Sequence, residues 1–95
     1  MKNLTKSEIE ERIKELEYWD YIDEVLYSSL DFKNFADAFA MMTRIAFVAE
    51  SMNHHPEWTN TYNNLSISLS THTTGGVTER DFELAEAIEN IIKGE

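Results

Sequence analysis

Apolar positions along this chain alternate between two periods, and the changes of period outline its elements. Ile9, Ile13 and Leu16 recur at helical spacing behind a Thr5-x-x-Glu8 capping box, which predicts a helix over Ser7 to Leu16 with one buried edge. Aromatic and β-branched residues mark two short strands, Tyr18 to Ile22 and Glu24 to Leu30, joined by a turn near Asp23. Lys33 to Asn53 reads as a long helix with two apolar stripes. One runs Phe35, Phe39, Met42, Ala46, Ala49; the other runs Ala38, Met41, Ile45, Val48, Met52. From Tyr62 to Thr71, Leu65, Ile67 and Leu69 alternate with Ser66, Ser68 and Ser70. That predicts a strand with one face on helices and a serine face free for solvent or a ligand. Thr73-Thr74-Gly75-Gly76 is a turn. A last helix is predicted from Glu79 to Lys93, with Thr78 as N-cap, Asp81 in the first turn, and Leu84, Ala85, Ile88, Ile91 and Ile92 buried. The order α-β-β-α-β-α, with hairpin-like strands, predicts a single α+β domain over residues 1–95 built on an antiparallel sheet.

The two stripes of the long helix make a wider apolar face than one small core occupies. The reading adopted is that this helix packs on its own sheet and also forms a subunit contact; the alternative is a central helix in a compact monomer. A 95-residue chain buries only about 60 to 65 % of its unfolded surface, so association helps it. Cysteine is absent, which excludes disulfides, thiolate nucleophiles and Cys-ligated zinc. The sequence lacks the run of about 20 apolar residues that a membrane span needs, and Met1 to Thr5 lacks the apolar segment of a secretion signal. The expectation is a cytoplasmic protein without membrane contact. The net charge of -10 repels phosphate backbones, so direct nucleic-acid binding is not expected.

Candidate chemistry concentrates in the histidines, all three of which fall between positions 54 and 72. Histidine exchanges a proton near neutral pH without first being perturbed. His54 and His55 precede Pro56, which pushes His55 towards extended backbone and ends the long helix at about His54. His72 follows the serine-faced strand and, by parity, shares its serine face. If that strand end meets the helix exit, all three imidazoles line one pocket. Glu50 lies four residues before His54 and is placed to hold its tautomer; the plainer reading is an ordinary exposed pair. Asp81 is either a first-turn helix carboxylate or an orienting partner of His72. Trp58 is assigned to the pocket rim, and Tyr62 and Trp19 to the core. Three histidines and a water form a known zinc set. Two histidines four apart on a helix are absent here, however, and adjacent histidines rarely ligate one ion comfortably, so no metal is expected.

Several spaced motifs agree in order with one family. Glu50-x-x-x-His54-His55-Pro56-Glu57-Trp58, Tyr62 and Leu69-Ser70-Thr71-His72-x-x-x-Gly76-Val77-Thr78-x-x-Asp81-x-x-Leu84-Ala85-x-x-Ile88 resemble the pterin-4a-carbinolamine dehydratases. The upstream Phe32-Lys33-x-Phe35-x-x-Ala38-Phe39-x-Met41-x-x-Arg44-x-Ala46 matches too. The resemblance runs from about Phe32 to Ile92 and weakens upstream. It implies a four-stranded antiparallel sheet with helices on one face, and a homodimer or homotetramer. It also implies dehydration of 4a-hydroxytetrahydropterin to quinonoid dihydropterin, a hydro-lyase reaction of tetrahydrobiopterin recycling with no cofactor and no metal. A functional link to an aromatic amino-acid hydroxylase follows from the same resemblance. Carried over by position, His54, His55 and His72 are catalytic, whereas Glu50, Asn53, Trp58, Ser70, Thr71 and Asp81 bind or orient. Asn53 stands where many relatives have aspartate, and Val77 where leucine is commoner. The competing expectation is a non-enzymatic dimeric interaction protein of the coactivator type, using the wide apolar helix face.

Overall fold

A computed structural model describes residues 1–94; Glu95, the last residue of the predicted domain, lies outside the described residues. The order is α1 (Lys6–Ile13), β1 (Asp20–Ile22), β2 (Val25–Asp31), α2 (Phe35–Met52), β3 (Glu57–Thr61), β4 (Asn64–Leu69) and α3 (Glu79–Ile92). The strands form one antiparallel sheet in the order β1-β2-β4-β3. The α+β class and the four-stranded sheet agree with expectation. The apolar pattern alone marks only three strands. β3 is the addition, a polar edge strand whose Trp58 and Asn60 are half-buried while Glu57, Thr59 and Thr61 are exposed.

Local chemistry sets the element ends. Thr5 accepts from Glu8 N and the Glu8 carboxylate accepts from Thr5 N, completing the capping box that starts α1. Asp23 and Glu24 both take positive φ and close the β1–β2 hairpin in two residues. Tyr62, with φ of 53°, turns the β3–β4 hairpin; it is 63 % exposed and does not join the core as expected. Asn34 caps α2 at its start, and Asn53 ends it in the left-handed region at φ 52°. Asparagine is among the few residues other than glycine that occupy this region readily. Its backbone role in this chain is therefore to end α2 immediately before the histidine pair.

The core lies between one sheet face and the helices. Leu26 and Leu30 from β2 and Leu65, Ile67 and Leu69 from β4 meet Ile45 and Ala49 of α2 and Phe82, Leu84, Ala85 and Ile88 of α3. Trp19 is buried there, as expected. The alternating serines Ser66 and Ser68 sit half-buried on the opposite, helix-free face. On α2 both stripes reach the core. Ala38, Ile45 and Ala49 are buried, with Met41, Met42, Val48 and Met52 packed around the core. Phe35 and Phe39 face outward with ring centroids 6.0 Å apart, and Phe47 is 74 % exposed.

Candidate active site

α2 and α3 meet where one helix ends and the other begins. The Arg80 guanidinium donates to the Met52 carbonyl, which ties the last turn of α2 to the first turn of α3. Past the left-handed Asn53, the backbone N–H of His54 still reaches Ala49 O at 3.1 Å, and the His54 ring turns inward and is buried. His55, one residue further, is exposed. From the other side, β4 runs out into Ser70 and Thr71. An isolated antiparallel bridge between Thr71 and Gly76 then closes the turn that carries His72.

These segments enclose a hollow of about 380 Å³, within the usual range of small-molecule sites, about 300 to 1,000 Å³. His54, His55 and His72 all line it, with Asn53, Ser70 and Thr71 from the expected set. The predicted meeting of strand end and helix exit is therefore present. Met1, Thr73 and Arg80 complete the wall and were not singled out from sequence. Arg80 carried one usable sign, its place two residues after the N-cap Thr78 beside the predicted site. Trp58 does not line this hollow. It packs against the core and borders two neighbouring grooves, one of them shared with Phe47, His55 and Pro56.

Each imidazole presents Nε2 to a carboxylate, and the three pairs differ in burial. His54 Nε2 lies 2.6 Å from Asp81 Oδ1, the carboxylate wholly buried. His55 Nε2 lies 2.8 Å from Glu50 Oε1 on the surface. His72 Nε2 lies 3.8 Å from Glu57 Oε1, an ion-pair distance rather than a hydrogen bond, with both side chains 73 % exposed. The partners are not those expected. Glu50 serves His55 and not His54, because the left-handed Asn53 ends the helix before the i,i+4 register reaches His54. Asp81 serves His54 and not His72, because it lies inside the first turn of α3, under the helix exit. Glu57 was not anticipated; it reaches His72 because β3 pairs with β4.

Asp81 is held from several directions. Its Oδ2 accepts from Thr78 N at 2.8 Å and from the Thr71 hydroxyl at 2.9 Å, completing the capping box of α3. A buried carboxylate with this many donors is well satisfied, and it fixes the His54 ring in one orientation. The His55 and His72 rings stand exposed. No group of three His, Asp or Glu side chains is placed to hold a metal ion among the described residues.

One imidazole anchored on a buried carboxylate and two exposed ones border a single hollow, and side chains of this type can exchange protons near neutral pH. A family profile described as pterin 4 alpha carbinolamine dehydratase matches residues 2–91, including the upstream third where the sequence resemblance was weakest. A protein of Christiangramia forsetii, provisionally named a pterin-4-alpha-carbinolamine dehydratase, is 50 % identical over 93 residues, covering 98 % of this chain and 96 % of that protein. One of the same provisional name from Prochlorococcus marinus is 47 % identical over 90 residues, covering 95 % of this chain and 94 % of its own length. The crystal structure of a transcriptional coactivator/pterin dehydratase from Brucella melitensis superposes with a TM-score of 0.91 at 40 % identity, covering 95 % of this chain and 98 % of that one. The chain belongs to the pterin-4-alpha-carbinolamine dehydratase family, a family of hydro-lyases.

Proposed function

We propose that this chain dehydrates 4a-hydroxytetrahydropterin to quinonoid dihydropterin by histidine acid–base catalysis. The observation that carries the reading is the placement of His54, His55 and His72 around one hollow, with His54 anchored on buried Asp81. In the reaction the C4a–O bond breaks, the oxygen leaves as water, the N5 proton is removed, and a C4a=N5 double bond forms. Two proton transfers are needed, and positioned imidazoles contribute about 10² to 10⁴-fold to such steps. His54 takes the N5 proton, because the adjacent Asp81 stabilises the imidazolium that results. His72, exposed and loosely paired with Glu57, delivers a proton to the departing hydroxyl. His55 and Glu50 place the pterin at the mouth, and Asn53 and Ser70 supply polar contacts along the wall. Trp58 supports this wall from behind Pro56.

The physiological setting proposed is cytoplasmic recycling of a tetrahydrobiopterin-type cofactor alongside an aromatic amino-acid hydroxylase. Among the described residues no helix is long and apolar enough to cross a membrane. The exposed Phe35, Phe39 and Phe47 on α2 support a homo-oligomer. The same face, with the coactivator wording carried by the Brucella neighbour, supports the second reading, an interaction protein. Stopped-flow dehydration of a freshly generated carbinolamine separates the two. Acceleration above the protein-free blank is expected of the enzyme; a rate equal to the blank leaves only the binder.

A further inference from the structure

Hydrogen-bond direction around Asp81 is fixed by counting protons. The Thr71 hydroxyl has one, and it goes to Asp81 Oδ2 at 2.9 Å. The 2.7 Å contact between Thr71 Oγ1 and Thr78 Oγ1 must then carry the Thr78 proton. Thr78 Oγ1 in turn accepts from Arg80 N at 3.3 Å. Every group in this chain thus donates towards Asp81, and the Thr78 backbone N–H adds a further donor at 2.8 Å. The α3 N-terminus places its partial positive charge on the same carboxylate. Its remaining oxygen, Oδ1, faces His54 Nε2 at 2.6 Å and accepts. A neutral His54 must therefore carry its proton on Nε2, which leaves Nδ1 with the lone pair. Among the described residues Nδ1 has no hydrogen-bond partner.

We propose that Thr71 and Thr78 are positioning residues of the dehydration, setting His54 through Asp81 in the Nε2–H tautomer so that Nδ1 is its proton-accepting atom. The proposal rests on the dehydratase reading and adds the device that prepares the base. The two threonines also bracket the turn bearing His72, since Thr71 is bridged to Gly76 and Thr78 begins α3. One hydroxyl pair thereby registers the anchored imidazole against the exposed one.

The test combines histidine ¹⁵N NMR with stopped-flow kinetics on the full chain, using 4a-hydroxytetrahydrobiopterin as probe. In the wild type at a pH where His54 is neutral, its spectrum is expected to show a protonated Nε2 and a bare Nδ1. Thr71→Val is expected to free the Asp81 carboxylate to turn away from His54, which lets the tautomers mix, and to lower kcat about tenfold or more with KM changed less than about threefold. Thr71→Ser is expected to restore both, and Thr78→Val and Thr78→Ser to repeat the same loss and rescue. A wild-type Nδ1–H tautomer overturns the proposal without any variant. So does a Thr71→Val protein that loses kcat with its tautomer unchanged, or changes tautomer with kcat intact, or changes neither. A wild-type rate equal to the blank removes the dehydratase reading and the proposal together, whereas an active wild type with any of those results removes the proposal alone.

Discussion

His54 and Asp81, 27 positions apart in sequence, meet at 2.6 Å with both side chains buried, and the carboxylate that holds the imidazole is the one that caps α3. Helix capping and the anchoring of His54 thus share a single side chain. The first turn of α3 cannot form its capping box without also presenting an acceptor to the exit of α2. The buried imidazole is held by secondary-structure termini, and the other two stand exposed around it.

Replacing the shared carboxylate tests that double duty. Asp81→Asn keeps the shape but turns one acceptor into a donor facing a donor. The expected result is a stability loss of about 1 to 3 kcal/mol and turnover lower on the order of 10²-fold. Urea unfolding and blank-corrected stopped flow measure the two effects separately.

The histidines should differ in stability as they differ in burial. His54→Ala leaves a buried Asp81 oxygen without its donor and is expected to cost about 1 to 3 kcal/mol. His72→Ala removes an exposed ring and is expected to change stability by less than about 0.5 kcal/mol. Equal losses in urea unfolding would contradict the graded arrangement.

The α1 capping box predicts a pH effect. The Glu8 carboxyl is held below the ordinary carboxylate range, chiefly by the Thr5 backbone N–H and next by the Thr5 side chain. A carboxyl lowered in this way binds fewer protons folded than unfolded. Its stabilisation is therefore present above the ordinary range and fades as pH falls through the lowered value. Glu8→Ala should melt below the wild type at about pH 7, with the gap narrowing towards about pH 3. A gap that widens in acid would reverse the assigned sign.

The outward aromatic face of α2 predicts association. The wild type is expected to sediment as a dimer or tetramer, and Phe35→Glu with Phe39→Glu to shift the population to smaller species by burying charge in an apolar contact. A wild type that stays monomeric at tens of micromolar would remove the oligomer proposal.

Much of this was legible because local rules decided it. Both capping boxes, the alternation of β4 and the proline stop after His55 are short-range patterns, and each stands where the sequence places it. The convergence of His72 with His54 and His55 was legible from the strand end and helix exit together. β3 was not, because Glu57–Thr61 has almost no apolar alternation; pairing with β4 makes it a strand. The carboxylate partners were misassigned for a related reason. Spacing along an ideal helix puts Glu50 beside His54, but a single left-handed residue, Asn53, moves that partnership on to His55 and frees His54 for Asp81. Tyr62 looked like core by composition, and its positive φ places it at a hairpin tip instead.

The central claim is that imidazoles from two distant segments act on one substrate in one hollow. Its most direct test is blank-corrected turnover of His54→Ala, His72→Ala and the double variant, because groups acting as a unit are strongly non-additive. Each single change is expected to cut turnover at least about tenfold, and the double to lose little more than the worse single. Turnover unchanged in both single variants, or losses that multiply in the double, would contradict it.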